Sequence, residues 1–385
     1  MNEMNKNQSE SIVIKYGKYN TLGLTEEDIK NVSIREGERT FHLMNYKNCQ
    51  IYILDETSLM ASNTIKSIDG CISVALFKRL QRKEKNRIIP IYCSGANTGN
   101  SLGRYFSNIG VESIFILPAD NLDLVDLNSY EKVKIITIKN PNKIKKFLKL
   151  FLDHYNEKNK DKVVMEFPNL DIRLNSSRFR GYYIKEILNK INFNWLVQTV
   201  SAGFGPLGIY KVLEDLENIP KFLAVQQQTN PYVYYKIKGS KQEIKFDSTK
   251  DLLARVMYDS NPSTYSTVNN LIELIKKRGG IVILAKEEFD YYLNKFSLLG
   301  ELRKNGVDIS LNQDNDIKDK IGLMALIGAL KAIDNGIINN EKGLICLTSG
   351  INNSKGKIIP FYQIKDDDLE KHVKIIYEIL KWLKL

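Results

Sequence analysis

The chain has 385 residues, of which 43% are hydrophobic, 26% charged and 10% aromatic. That is long enough for two domains, each with its own core, and the composition is that of an ordinary globular protein. The formal charge of +11 admits a nucleic-acid partner, but the densest basic runs, Lys78 to Arg87 and Lys143 to Lys149, are interleaved with apolar residues on helix-like stretches. They read as solvated faces, so no nucleic acid is expected.

Other gross features exclude further classes. No apolar run approaches the ~20 residues that span a bilayer, so no membrane association is expected. Met1 to Glu10 is polar, without the apolar segment of a secretory signal. Cys49, Cys71, Cys93 and Cys346 are scattered without paired spacing. This argues for free thiols, a reducing compartment and a cytoplasmic location, and against a zinc framework. His42, His154 and His372 lack partners at metal-ligand spacing, so no metal is expected.

In chain order, residues 1–19 read as a polar N-terminal segment. Strands are predicted at Ile51–Leu54, Ile88–Cys93, Ser113–Leu117, Val133–Ile138 and Val163–Phe167, with helices at Asp69–Lys83, Leu102–Ile109 and Lys143–Glu157 between them. A helix over Arg178–Ile191 leads to a strand at Trp195–Val200, a helix at Pro206–Leu216 and a strand at Phe222–Gln226. Leu252 to Leu274 looks helical but breaks near Asn261-Pro262. Then come a strand at Ile281–Leu284, a helix at Glu287–Asn305, an apolar helix at Gly322–Asn335 and a strand at Leu344–Leu347. The last helix opens with Asp366-Asp367-Asp368 and closes with Lys381 and Lys384, matching the helix dipole at both ends. Such alternation predicts βαβ units and parallel sheets, an α/β fold.

Three small-residue turns follow predicted strands: Ser94-Gly95-Ala96-Asn97-Thr98, Ser201-Ala202-Gly203-Phe204-Gly205 and Thr348-Ser349-Gly350. A lysine, Lys66, stands ahead of them. In doubly wound sheets, ligands collect at the carboxyl ends of strands. Glycine turns at helix starts offer backbone N–H groups to anions. An amine, a donor-rich loop for phosphate and a hydroxyl for a ring nitrogen suit pyridoxal 5'-phosphate. Alone, Lys66 is a solvated helix lysine, Asn97 an Asx-turn residue, the 201–205 loop a tight connection and Ser349 an N-cap.

The order of these segments resembles the threonine synthase-like group of pyridoxal-phosphate enzymes, from about residue 30 to residue 355. Glu36-Gly37-Glu38 is similar to the Glu-Gly-Asn turn of that group. Asn63-Thr64-Ile65-Lys66 resembles the segment carrying the cofactor lysine, and Ser94 to Thr98 resembles Ser-Thr-Gly-Asn-Thr. Asn175-Ser176-Ser177-Arg178-Phe179-Arg180-Gly181 is similar to the Asn-x-x-Arg-x-x-Gly segment of threonine synthases. Gln198 to Gly208, with Ala224-Val225-Gln226-Gln227, most resembles cysteate synthases. The chain departs from the group at Ser67-Ile68-Asp69-Gly70, Thr40-Phe41-His42, Tyr182-Tyr183 and the bulky Phe204.

The resemblance implies two doubly wound α/β domains of the tryptophan-synthase-β kind. Residues 20–58 and 180–385 would form the larger, cofactor-binding domain, and residues 59–179 a smaller mobile one. It further implies that Lys66 carries the cofactor and acts as general base, and that Asn97 contacts the phenolic oxygen. Ser201, Ala202, Gly203, Phe204 and Gly205 would bind the cofactor phosphate. Ser349, or else Thr348, would donate to an unprotonated ring nitrogen. Ser94 and Thr98, with the backbone of Gly95 and Ala96, would hold the substrate carboxylate, and Arg178 with Asn175 the leaving phosphate. The expected activity is β-replacement or β-elimination on an amino acid, O-phosphoserine or a relative, with a small nucleophile such as sulfite, in a homodimer. Threonine synthase or a deaminating lyase is the alternative within the group, and a cofactor-free basic binding protein the alternative outside it.

Overall fold

Short Ile-, Val- and Leu-rich stretches alternate with longer helical ones, and the apolar stretches become strands. The computed structural model describes residues 11–126, 132–240, 248–257, 267–312, 314–351, 358–366 and 368–383. Eleven strands form among those residues. In chain order they are β1 (Arg39–Tyr46), β2 (Cys49–Asp55), β3 (Arg87–Cys93), β4 (Ser113–Pro118), β5 (Val133–Ile138), β6 (Lys162–Glu166), β7 (Trp195–Thr199), β8 (Lys221–Gln227), β9 (Gly279–Leu284), β10 (Lys342–Leu347) and β11 (Tyr362–Ile364).

They make two sheets, ordered β1-β2-β10-β7-β8-β9 and β11-β5-β4-β3-β6. β1 and β2 are an antiparallel hairpin, with Lys47 and Asn48 both at positive φ in the turn, as the twist of a tight hairpin requires. Every other pairing between these strands is parallel. Parallel strands need crossovers, and the crossover helices cover both faces of each sheet. In β10, Ile345 and Leu347 join the core holding the helix Ile321–Asp334, whereas Leu344 and Cys346 face the helices Phe204–Leu213 and Thr267–Arg278. β4 divides in the same way, Phe115 and Leu117 toward the helices Lys66–Lys83 and Asn97–Asn108, Ile114 and Ile116 toward Ile144–Lys158 and Leu369–Trp382. Alternation with period two, buried on both sides, accounts for the continuous apolar runs of these strands.

Several elements depart from expectation. Of the polar N-terminal segment, residues 11–19 are folded: Ile12 and Val13 are buried, and Tyr16 and Lys15 both reach Glu186 on the helix Leu170–Ile191, at 2.8 and 2.6 Å. Residues 1–10 lie outside the described residues. That long helix begins eight residues before the predicted start, because Asn169 caps it by accepting the Ile172 N–H at 2.9 Å. Glu287–Asn305 divides into two helices at Ser297, which sits at φ 47°. The strand β11 pairs with β5 of the smaller sheet, so the chain's C-terminal part does not stay wholly with the larger sheet to which 180–385 was assigned. The predicted break at Asn261-Pro262 falls outside the described residues. Among the described residues, no helix is long and apolar enough to cross a membrane.

Candidate active site

A cleft of about 210 Å³ opens where the strand ends of both sheets face each other. Lys66 is the first residue of the helix Lys66–Lys83. Its turn is held from two sides. The Ile65 N–H donates to the Thr348 carbonyl at 3.0 Å, and the Lys66 carbonyl accepts from Ser101 Oγ at 2.5 Å. The side chain is 31% exposed and pairs with buried Asp69, Nζ to Oδ2 3.1 Å. The amine is thus at a helix start, on the cleft wall, with one carboxylate as its neighbour.

The 94–98 turn enters the cleft at the N-terminus of the helix Asn97–Asn108. Ser94 Oγ accepts the Gly99 N–H at 2.9 Å, satisfying one of the free donors of that helix. Asn121 Nδ2 donates to the Gly95 carbonyl at 2.7 Å, which fixes the turn. Ser94, Gly95, Asn97 and Thr98 line the cleft; Ala96, 1% exposed, does not. The Asn97 amide nitrogen donates to Asp319 Oδ2 at 2.9 Å.

All five residues of the 201–205 loop line the cleft. Gly203 sits at φ 84° just before the helix Phe204–Leu213, a conformation that glycine supplies without strain. At Gly205 a Cβ would lie 2.5 Å from Gln198 Nε2 and 2.9 Å from an Arg180 guanidinium nitrogen. The loop backbone therefore rests against a buried cation, at a helix N-terminus that favours anions. Opposite it, Thr348 and Ser349 close the cleft after β10. Ser349 Oγ is buried and has no hydrogen-bond partner among the described residues.

The helix Leu170–Ile191 gives the main surprise. Arg173, Ser177 and Arg180 recur at i, i+4 and i+7, and with Ser176 they line the cleft. Asn175 and Arg178 lie on a different stripe of the helix and do not line it. Asn175 Nδ2 donates to Thr21 Oγ1 at 2.7 Å, and Arg178 Nε is buried with no hydrogen-bond partner among the described residues. The cations brought to the cleft from this helix are Arg173 and Arg180. Arg173 forms no ion pair among the described residues, and its guanidinium lies 5.4 Å from the centre of the Phe204 ring. Arg180, 3% exposed at its side chain, grips Glu56 at 2.5 and 2.8 Å and Gln198 Oε1 at 3.0 Å.

Behind Arg180 lies a second buried acid, Glu38, 2% exposed. Burial, and then the charge of Glu56, push its carboxyl well above the usual carboxylate range. Its folded pKa therefore exceeds its unfolded one, near 4.3. The folded state keeps a proton that the unfolded state loses, so stability is full below that unfolded pKa and falls as pH rises toward the folded one. Glu38→Gln is expected to be more stable than the parent at neutral pH and to flatten this fall, measured as unfolding free energy between acid and neutral pH. An unchanged pH profile would contradict the assignment. Glu36 is satisfied by contrast: Ser11, Ser33, Tyr105 and the N–H groups of Ile34 and Arg35 all donate to it.

No protein-family model and no curated protein matches the sequence. Solved structures do. Threonine synthase from Escherichia coli superposes with a TM-score of 0.65 at 13% identity, over 97% of this chain and 89% of that one. Yeast threonine synthase gives 0.63 at 12% identity, over 99% and 91%. The O-acetylserine-dependent cystathionine β-synthase from Helicobacter pylori gives 0.56 at 17% identity, over 86% and 98%. The chain has the tryptophan-synthase-β fold. In the tryptophan-synthase-β fold observed here, Lys66, the 94–98 turn, the 201–205 loop and the 348–350 turn come from well-separated parts of the sequence and meet in one cleft.

Proposed function

We propose that the chain is a pyridoxal-phosphate enzyme that carries out β-replacement or β-elimination on a phosphorylated amino acid, O-phosphoserine or a close relative. The support is the convergence of Lys66, Asn97, the 201–205 loop and Ser349 on one cleft. The residues present fit the cofactor. Among the described residues the buried Ser349 hydroxyl has no hydrogen-bond partner, and it could donate to a pyridine nitrogen. The loop at Gly205 admits no Cβ without meeting Gln198 and Arg180, so a phosphate at this helix N-terminus would lie close to a buried guanidinium. When bound, the cofactor supplies an electron sink for negative charge at the substrate Cα.

The chain's own residues do the rest. Lys66 holds the cofactor through its amine and takes the α proton. Ser94 and Thr98 hold the substrate carboxylate at the start of the helix Asn97–Asn108, orienting the Cα–H bond. Arg173, rather than Arg178, receives the leaving phosphate, since it lines the cleft, forms no ion pair among the described residues, and a guanidinium matches phosphate bidentately. A small nucleophile, sulfite in the cysteate synthase-like reading, then bonds to Cβ.

Purified protein loaded with pyridoxal phosphate is expected to release inorganic phosphate from O-phosphoserine. The coverage of whole threonine synthases by this chain favours a second reading, in which O-phosphohomoserine is the substrate. Release from that compound alone would select it; release from neither would end both. Arg173→Met should lower kcat/KM for the phosphorylated substrate by about tenfold to a hundredfold, the value of a charge-assisted hydrogen bond. Arg178→Met should leave it within about twofold, and the reverse pattern would contradict the assignment.

A further inference from the structure

Asp69 is the one acid that lines the cleft among the described residues, on a wall it shares with three cations, Lys66, Arg173 and Arg180. A Lys–Asp pair three residues apart on an exposed helix face is ordinary surface chemistry. Asp69 is not exposed. The residue is 4% accessible, in the first turn of the helix Lys66–Lys83, and its Oδ2 lies 3.1 Å from Lys66 Nζ. That approach lacks the alignment of a hydrogen bond, so Oδ2 is buried with no hydrogen-bond partner among the described residues. The other two cations are turned elsewhere: Arg180 grips Glu56, and Arg173 lies over Phe204.

In a cleft that takes anions, a carboxylate repels them unless it serves the cationic part of a ligand. An amino-acid substrate has one such part, its α-ammonium. The substrate nitrogen must reach the aldehyde carbon that the Lys66 nitrogen holds, so it arrives next to Nζ and within reach of Asp69. We infer that Asp69 is the seat of the substrate's α-ammonium. In the structure the Lys66 ammonium occupies that seat. With the Lys66 nitrogen committed to the cofactor, the substrate's ammonium replaces it at the same carboxylate. Docking there is an ion pair and breaks no covalent bond. It points the amino group at the aldehyde carbon while Ser94 and Thr98 hold the substrate carboxylate. The cleft thereby selects amino acids over hydroxy acids of the same shape, which would leave the carboxylate without a charged partner.

The inference rests on the pyridoxal-phosphate reading and names how that cleft chooses its substrate. The test compares Asp69→Asn with the parent, both loaded with pyridoxal phosphate, on two probes. One is O-phosphoserine; the other is 3-phosphoglycerate, which carries a hydroxyl in place of the ammonium. Half-saturation by O-phosphoserine is read from the absorbance of the bound cofactor, and that by 3-phosphoglycerate from its competition with this change. In the variant, the half-saturating concentration of O-phosphoserine is expected to rise about tenfold, the worth of one charge-assisted contact. That of 3-phosphoglycerate is expected to hold or fall, because a like charge has been removed. An unchanged response to O-phosphoserine would overturn the inference with the cofactor reading intact. So would equal weakening for both probes, which is what a purely structural Asp69 gives. Should Asp69→Asn fail to fold, Asp69→Ser repeats the comparison with a smaller polar side chain. A parent that takes up no cofactor ends the pyridoxal-phosphate reading, a loaded parent that answers to neither probe ends the phosphoserine reading, and this inference ends with either.

Discussion

Lys66→Ala is expected to abolish turnover. The loss of a positioned general base alone removes roughly 10²–10⁴-fold in rate, and the same change deletes the amine that would hold the cofactor. The substitution is mild for the fold. Lys66 is partly exposed at a helix start, the alanine is a better helix former, and among the described residues the ion pair lost is the one to Asp69 at 3.1 Å. Thermal stability should stay close to that of the parent, so that lost activity cannot be assigned to unfolding. The check is phosphate release beside a thermal scan. A variant within about tenfold of the parent would remove Lys66 from the chemistry.

Arg180→Met is expected to have the largest effect on stability. The side chain is 3% exposed and holds Glu56, itself 0% exposed, through two hydrogen bonds at 2.5 and 2.8 Å. Glu38 stands beside the pair with its own carboxyl buried. Removing the guanidinium leaves a buried carboxylate without its partner, a change that costs about 3–5 kcal/mol. Pairing the change with Glu56→Leu should recover most of that loss, since replacing both partners by apolar groups removes the stranded charge as well. Arg180 also borders the 201–205 loop at Gly205, so the single variant should bind inorganic phosphate more weakly. Denaturant titration of the two variants measures the difference, and a single variant within 1 kcal/mol of the parent would mean that Glu56 finds another donor.

Much of this fold is legible as periodicity. β4, β7 and the core of β8 are continuous apolar runs bounded by polar turns, and their limits in the structure match the sequence to within a residue or two. The strands missed have specific causes. β1 carries Arg39, Thr40, His42 and Asn45 on a half-exposed hairpin edge, which blurs the alternation, and β11 has only three residues. The three glycine turns and Lys66 were visible because small residues after strands are a local signal. Arg173 and Asp319 carry no such local signal, and Arg180 stands out only as one of the two arginines in the Asn175–Gly181 segment, with Arg178 preferred for phosphate. Arg180 meets Glu56 across 124 positions and Asn97 meets Asp319 across 222, and no local pattern records such contacts. The i, i+4, i+7 spacing of Arg173, Ser177 and Arg180 was there to be read, but it needed the helix to begin at Leu170.

The account turns on which amine meets the aldehyde of pyridoxal phosphate. Purified protein mixed with the cofactor, reduced with borohydride and mapped by peptide mass spectrometry answers this directly. The account predicts one phosphopyridoxyl group per chain, on the peptide that contains Lys66. A group spread over surface lysines, or fixed on a lysine outside the cleft, would contradict it.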